Sequence, residues 1–497
     1  MIFLKKKRRL LELLKTIIQM TDLLENENEQ ANVIANCQIA ISTIYDNLIA
    51  EFSEKETVFA DLQAVYDLLT LINEQEITVN AELTVKMKQL LQIIFSKLDK
   101  LIPLKLNVAF MPYKVTMWDS LASIYETAQK DPDCVTKVIP IPYYKLADSQ
   151  KIPTYEGDLF PEDVKITPFD QYNLEQEEPD IIFIHNAYDQ FNTITQVDER
   201  FFTSNLKKYT NMLVYVPYHI TGLRKLTGNN QYFAYTTPTM GNIDKIIVAG
   251  QYVKDAAIKY GIPAEKVLAL GSPKLDAVYQ VTKKGKNIPP KWQNQLTGKF
   301  VFALDTNCMF LINDSFYGLA FIEQVFDAAR MIPNCAVIWR PHPLTRISIA
   351  HYLPQMLERY DQMVKEIKER SPRYPNIIFD DGAEYQSFLN SSDAYISQPN
   401  SLMASYTITN RPIIIASDKL DKYNLMPDEA FYHFYDLEYP WQQIAKDLVN
   451  GKDIKRKYRK NLANSIYSYT DGTSGKRIYE EIKKENLNNF LKRNFKL

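Results

Sequence analysis

Glycine is scarce in this chain of 497 residues, at 14, and neither GxGxxG nor GxxxxGK[ST] occurs. That counts against a standard dinucleotide-binding turn and against a P-loop, because both need closely spaced glycines at the phosphates. The four cysteines, Cys37, Cys134, Cys308 and Cys335, are scattered without a CxxC pair. Free thiols in a reducing cytosol account for them better than disulfides or a zinc site. No apolar run approaches the ~20 residues that cross a bilayer. The start, MIFLKKKRRLLELLKTIIQM, lacks an A-x-A cleavage site, which argues against a signal peptide. A net charge of -2 supplies no global field for nucleic acid, so attraction to an anionic partner has to be local. The expected location is the cytoplasm.

The length predicts two or three domains. Residues 1–103 contain no glycine and no proline before Pro103, and their apolar residues recur at three and four spacing. They read as a bundle of three or four helices. Lys5, Lys6, Lys7, Arg8 and Arg9 stand beside an apolar helix face. Such a cluster is either a solvated helix end or a contact to an anionic membrane surface on the inner face. Self-association to a homo-oligomer through the bundle is a further use for it.

From about residue 104 strands and helices alternate, which predicts parallel sheets covered on both faces. The polar, basic segment 282–299 carries a double proline and reads as a linker. The expected fold is therefore α/β: two Rossmann-like doubly wound domains, 104–285 and 286–497, facing a cleft and preceded by the helical bundle.

Ligands of open parallel sheets sit beyond the carboxyl ends of the strands. Three of the five histidines, His185, His219 and His342, fall at such exits. In VIWRPHPLTR, Pro341 and Pro343 fix the backbone on both sides of His342 and end the strand. Arg340 is placed to bind a phosphate, or else to pair with Asp380 or Asp381. In SQPNSLMASY, Pro399 breaks a strand, and Asn400 or Ser401 caps a helix whose free N–H groups suit a phosphate.

Several stretches together resemble the CDP-glycerol glycerophosphotransferase family, the teichoic acid polymerase and primase type with a GT-B fold. They are VPYHITGLRKL, AGQYVKDAAIKYGIPAEKVLALGSPKLD, VIWRPHPL, SSDAYISQPNSLMASYTITNRPIII and SYTDGTSGKRI, in that order between about 210 and 480. The family's Asp-Tyr-Ser stands here as Gln398-Pro399-Asn400, and Ile220, Thr221 and Gly222 depart from it after His219. The resemblance implies transfer of glycerol phosphate, or a related polyol phosphate, from CDP-glycerol to a hydroxyl of a surface glycopolymer, with release of CMP. It implies no metal and no cofactor beyond the donor substrate. It makes His219 and His342 catalytic and puts Arg340, Ser397, Asn400 and Ser401 on the donor phosphates. Thr306, Asp381, Gly271 and Lys274 are counted as further substrate contacts. The rival readings are a nucleotide-sugar glycosyltransferase or UDP-GlcNAc epimerase relative, using Asp305, Glu384 and Asp393 as sugar or ribose ligands, and a non-catalytic scaffold of a wall-polymer complex.

Overall fold

A computed structural model describes residues 2–147, 150–220, 237–283, 285–313, 315–382, 385–417, 419–420, 425–460 and 462–494. Four helices come first: α1 (Leu4–Met20), α2 (Gln30–Ile49), α3 (Thr57–Asn73) and α4 (Ala81–Leu101). Their apolar stripes face inward; Leu11, Leu14, Ile44, Leu62, Leu91 and Ile94 are fully buried. Asn80 starts α4 by accepting the Leu83 N–H at 2.9 Å, which satisfies a donor the helix leaves open. The bundle is not a separate body. Its core runs on without a break into Val108, Phe110, Phe183 and Val214 of the first sheet.

The basic cluster of α1 is largely spent inside the chain. Lys7 is buried and donates to the carbonyls of Asp99 and Ile102 at 2.6 and 2.9 Å, while Lys5 and Arg9 both reach Glu178 at 2.9 Å. These pairs favour the reading of the cluster as a helix end held within the chain over the reading of it as a membrane contact. Among the described residues no helix is long and apolar enough to cross a membrane.

The strands of the first lobe are β1 (Leu106–Met111), β2 (Cys134–Val138), β3 (Tyr143–Ala147), β4 (Gln150–Thr154), β5 (Ile181–Ile184), β6 (Thr195–Val197), β7 (Met212–Tyr215), β8 (Lys245–Ile247) and β9 (Val267–Leu268). Six form a parallel sheet in the order β2-β1-β5-β7-β8-β9, and β4-β3-β6 form an antiparallel satellite. Alternate residues of β1 go to opposite cores: Val108 and Phe110 to one, Ala109 and Met111 to the other. A strand covered on both faces reads as a continuous apolar run, as LNVAFM does.

The second lobe contains β10 (Phe300–Thr306), β11 (Cys335–Pro341), β12 (Ile377–Phe379), β13 (Ala394–Ser397), β14 (Ile413–Ile415) and β15 (Tyr432–His433). All are parallel, in the order β12-β11-β10-β13-β14-β15. Counted within the sheet this is 3-2-1-4-5-6, the doubly wound order, with its reversal between β10 and β13. The two lobes make a GT-B arrangement, in which strand-end loops of both, Val115 after β1 and Asp380 after β12, line one gap.

Two expectations about organisation change. The segment 282–299 is not a free linker: Trp292 and Leu296 are buried in the second lobe, and Lys286 holds Asp393 at 2.5 Å. The last helix, Ser474–Asn494, does not stay with 286–497. It crosses back, and its Ile478, Tyr479 and Ile482 join the core of the first lobe. The crossing is locked by Asp276, whose carboxylate accepts the N–H groups of Ser474 and Gly475 at 3.0 and 2.8 Å.

Candidate functional site at the strand ends

In the first lobe, His185 follows β5 at the point where the sheet order reverses. It is fully buried, its Nε2 accepts the Tyr113 N–H at 3.0 Å, and its Nδ1 lies 3.2 Å from the Met117 carbonyl and from the Ser120 hydroxyl. Burial pushes this imidazole down to about 3. A neutral ring with both nitrogens engaged is a structural residue.

His219 differs. It is half-buried at the exit of β7, edge-on to Tyr218 at 5.0 Å. Burial, reinforced by the Lys274 ammonium, holds its imidazole down to about 4, so the ring is neutral and able to accept a proton at physiological pH. Lys274 is itself clamped, with Nζ 3.0 and 3.1 Å from the two Asp119 oxygens and 4.9 Å over the Tyr385 ring. The Tyr385 hydroxyl donates to Asp119 as well. This clasp joins the first lobe to the second, and nothing in the residue pattern around Asp119 or Tyr385 announced it. Thr221 and Gly222, the departures that follow His219, lie outside the described residues.

In the second lobe His342 is exposed at the end of β11. Its backbone N–H donates to the Thr306 carbonyl at 2.9 Å, which ties it to the end of β10. Its Nδ1 accepts the Leu344 N–H at 3.2 Å. That contact needs a lone pair on Nδ1, so the neutral ring carries its proton on Nε2. Burial lowers this imidazole and the Asp305 carboxylate opposes the shift.

Around His342 the structure redistributes the expected donor ligands. The alternative posed for Arg340 holds: Nη1 pairs with Asp380 at 2.6 Å, and Nη2 donates to the Gly382 carbonyl at 2.8 Å. Thr306 is fully buried and its hydroxyl accepts the Trp339 indole N–H at 3.0 Å, which gives that side chain a partner within the fold. Ser397 is equally buried and donates to the Gln398 carbonyl at 2.8 Å. Asn400 is used twice, accepting the Met403 N–H at 2.8 Å and donating to Asp305 at 2.8 Å. Ser401 stays exposed on the first turn of the helix Ser401–Tyr406. Asp381 turns outward to Lys368 at 2.7 Å. Gly271 has φ +92°, and a Cβ there would stand 2.5 Å from the Ser474 hydroxyl, so the crossing of the last helix needs a glycine at this point.

The two motifs expected side by side, RPHP and SQPNS, end β11 and β13, and these flank β10. Two strand spacings of about 4.8 Å put them roughly 10 Å apart. Asp305 and Asn307 fill the interval. Asp305 accepts from the Tyr395 hydroxyl at 2.6 Å as well as from Asn400, and Asn307 donates its N–H to Gln398 at 3.3 Å. Of the carboxylates posed as sugar ligands, Asp393 sits at the amino end of β13, bonded to Lys286 and to the Val301 N–H. That is the wrong end of the sheet. Glu384 lies outside the described residues. Among the described residues no group of three or more His, Cys, Asp or Glu side chains is placed to hold a metal ion.

Comparisons with known proteins fit this geometry. Among solved structures, a protein of Listeria monocytogenes assigned as a UDP-N-acetylglucosamine 2-epimerase aligns at 14% identity and TM-score 0.51, covering 77% of this chain and 97% of that one. The wall teichoic acid polymerase TagF aligns at 14% identity and TM-score 0.49, covering 77% and 90%. UDP-GlcNAc 2-epimerase from Neisseria meningitidis, bound to UDP-GlcNAc, aligns at 15% and 0.47, covering 76% and 100%. The first of these likenesses shows the shared fold. A comparison with curated proteins finds no match. The profile of one family, CDP-glycerol:poly(glycerophosphate) glycerophosphotransferase, matches residues 197–484, more than half of the chain, and takes in His219 and His342. The chain belongs to that family of transferases.

Proposed function

We propose that the protein transfers a polyol phosphate, glycerol phosphate in the simplest case, from its CDP-activated form to a hydroxyl of a wall or surface glycopolymer. The observation that carries this reading is the exposed His342, whose Nδ1 is occupied by the Leu344 N–H, which leaves Nε2–H as the ring's donor. Beside the reversal point of a 3-2-1-4-5-6 sheet, such a donor suits the diphosphate of a nucleotide. Ser401 and the amides near it are the second contact. Arg340 contributes through Asp380, as a positioning residue for the β11 exit.

The chemistry balances with the groups present. His219, held neutral, takes the proton of the acceptor hydroxyl as that oxygen bonds to the β-phosphorus. The bond from that phosphorus to the bridging oxygen breaks, and CMP leaves with the electron pair. His342 stabilises the charge that gathers on the leaving phosphate. Any metal or other cofactor requirement is left to assay; the reading requires none. The proposed place of action is the cytoplasm.

CDP-glycerol and UDP-sugars offered separately to the purified protein test the reading. Release of CMP supports it, and release of UDP instead favours the nucleotide-sugar reading. A His342→Ala variant that keeps full CMP release overturns the role of the imidazole, whereas absence of CMP and UDP release together with a His342→Ala variant that retains all cellular activity favours a scaffold.

A further inference from the structure

Between the lobes lies a cavity of about 880 Å³, in the size range of small-molecule sites. We infer that it seats the acceptor, and that the acceptor's reacting end is an uncharged, hydroxyl-bearing unit rather than a phosphodiester chain. The inference rests on the transferase reading above and names the substrate class that reading leaves open.

Position is the first argument. The cavity wall includes Asp119, whose partner Lys274 acts electrostatically on His219. It also includes Asp380, the partner of Arg340 two residues before His342. Neither histidine lines the wall itself; each expected catalytic group is linked to it through one intervening cation, Lys274 for His219 and Arg340 for His342, at the flank formed by the exits of β1 and β12.

Charge is the second. Four carboxylates, those of Asp119, Glu126, Asp276 and Asp380, line the wall against one ammonium, that of Lys291. Adding the outer partners Lys274 and Arg340 still leaves four acids against three bases. Among the described residues of this wall, a chain carrying one negative charge per unit meets a net negative charge and no cationic track. The lysine-rich groove of the first lobe, with Lys207, Lys208, Lys245 and Lys266, lies at the amino ends of β7, β8 and β9, the far end of that sheet. Carboxylates do accept hydrogen bonds from neutral hydroxyls. Val115, Leu159 and Pro273 give the same wall an apolar part, which suits the carbon face of a sugar or polyol.

The test measures CMP release from CDP-glycerol with methyl glucoside, maltose or diglycerol as acceptor, against a tetramer of glycerol phosphate at equal concentration. At least one neutral acceptor is expected to stimulate release about tenfold more than the tetramer. A tetramer that matches or exceeds all three overturns the inference. Glu126 is exposed, so Glu126→Lys leaves the packing alone and is expected to raise use of the tetramer several-fold at low salt, with the gain shrinking as salt rises. An unchanged preference counts against the cavity. Ala277→Trp fills the wall and is expected to abolish acceptor stimulation while the calorimetric Kd for CDP-glycerol stays within about twofold; stimulation that survives the filled cavity overturns the assignment. If the unaltered protein neither binds nor cleaves CDP-glycerol, the transferase reading itself fails, which is a different result from a donor that binds beside the wrong acceptor.

Discussion

The two parallel sheets end differently. At the exits of the first, aromatic rings close over the strand ends. Tyr113, Tyr188 and Tyr215 are buried there, and the His185 ring stands edge-on to Tyr113 at 5.3 Å. The half-buried His219 stands at the rim of this packing. At the exits of the second sheet the groups are polar and mutually bonded: Arg340 to Asp380, Tyr395 and Asn400 to Asp305, Asn307 to Gln398. An apolar rim favours a neutral imidazole, which is a base. A hydrogen-bonded rim with fixed donors tolerates an anion. On the proposed reading, one fold used twice divides the work between an acceptor side and a donor side, and that division can be broken from either side.

The largest effects belong to the two imidazoles. His219→Ala is expected to lower CMP release about 10²–10⁴-fold, the range for loss of a general base. His342→Ala is expected to cost about 10²–10³-fold, as for loss of one charge-stabilising donor. The two should also differ in kind. With the donor side intact, His219→Ala should leave CDP-glycerol binding nearly unchanged in calorimetry, whereas His342→Ala should weaken it. If both variants lose donor binding equally, the division of labour is wrong.

Next in size is stability at the second rim. Asp380 is nearly fully buried and Arg340 largely so. Asp380→Ala therefore strands a charged guanidinium, at a cost of about 3–5 kcal/mol in denaturant unfolding. Thr306→Val removes the acceptor of the buried Trp339 indole and should cost about 1–3 kcal/mol. A similar loss of a rim contact in the first lobe, such as Tyr218→Phe, should be milder, because aromatic packing there does not depend on the hydroxyl.

The contrast between the rims explains what could be read without coordinates. Apolar runs such as LNVAFM and CAVIW announce covered strands, and the absence of glycine and proline before Pro103 announces helices, so both lobes and the bundle were legible. Strand exits were legible for the same reason, since many runs end at a proline, glycine or histidine and others, such as FVFALDTN and IIFDD, at polar residues. Partnership across the fold was not. Whether Thr306 faces a ligand or Trp339, and whether Lys274 meets substrate or Asp119, depends on residues 33 and 155 positions away. No local pattern encodes that distance. β15, in AFYHFY, escaped notice because two paired residues are too few to show a period. The crossing of the last helix was hidden in the same way, because SYTDGTSGKRI reads as an ordinary helix start until Asp276 is placed at its N-terminus.

Acidity offers a finer probe of the first rim. With His219 as the proposed base its neutral ring is the active form, and with the imidazole at about 4 kcat/KM should fall only as pH drops toward that value. Removing the ammonium in Lys274→Met takes away one cause of the depression. The protonated ring then becomes less unfavourable, the imidazole moves up, and the acid limb of the pH profile should begin at higher pH. A uniform loss of rate without movement of the limb would mean that Lys274 acts through the clasp with Asp119 and Tyr385 instead.

The smallest effect is expected where the residue pattern advertised most. Five consecutive basic residues near the start invite a membrane, yet Lys5 and Arg9 converge on Glu178, whose carboxyl they hold below its ordinary range. The pairs are partly solvated, so Lys5→Gln with Arg9→Gln should change unfolding free energy by less than about 1 kcal/mol. Lys7→Met is the sharper comparison, since Lys7 is buried and satisfies two carbonyls at the end of α4 that would lose their donor. If the cluster is internal wiring, sedimentation with anionic vesicles should be the same for the parent and the double variant, and no greater than with neutral vesicles. If anionic vesicles retain the parent but release the double variant, the ion pairs with Glu178 open at a lipid surface, and α1 then has a second role that its contacts within the chain do not display.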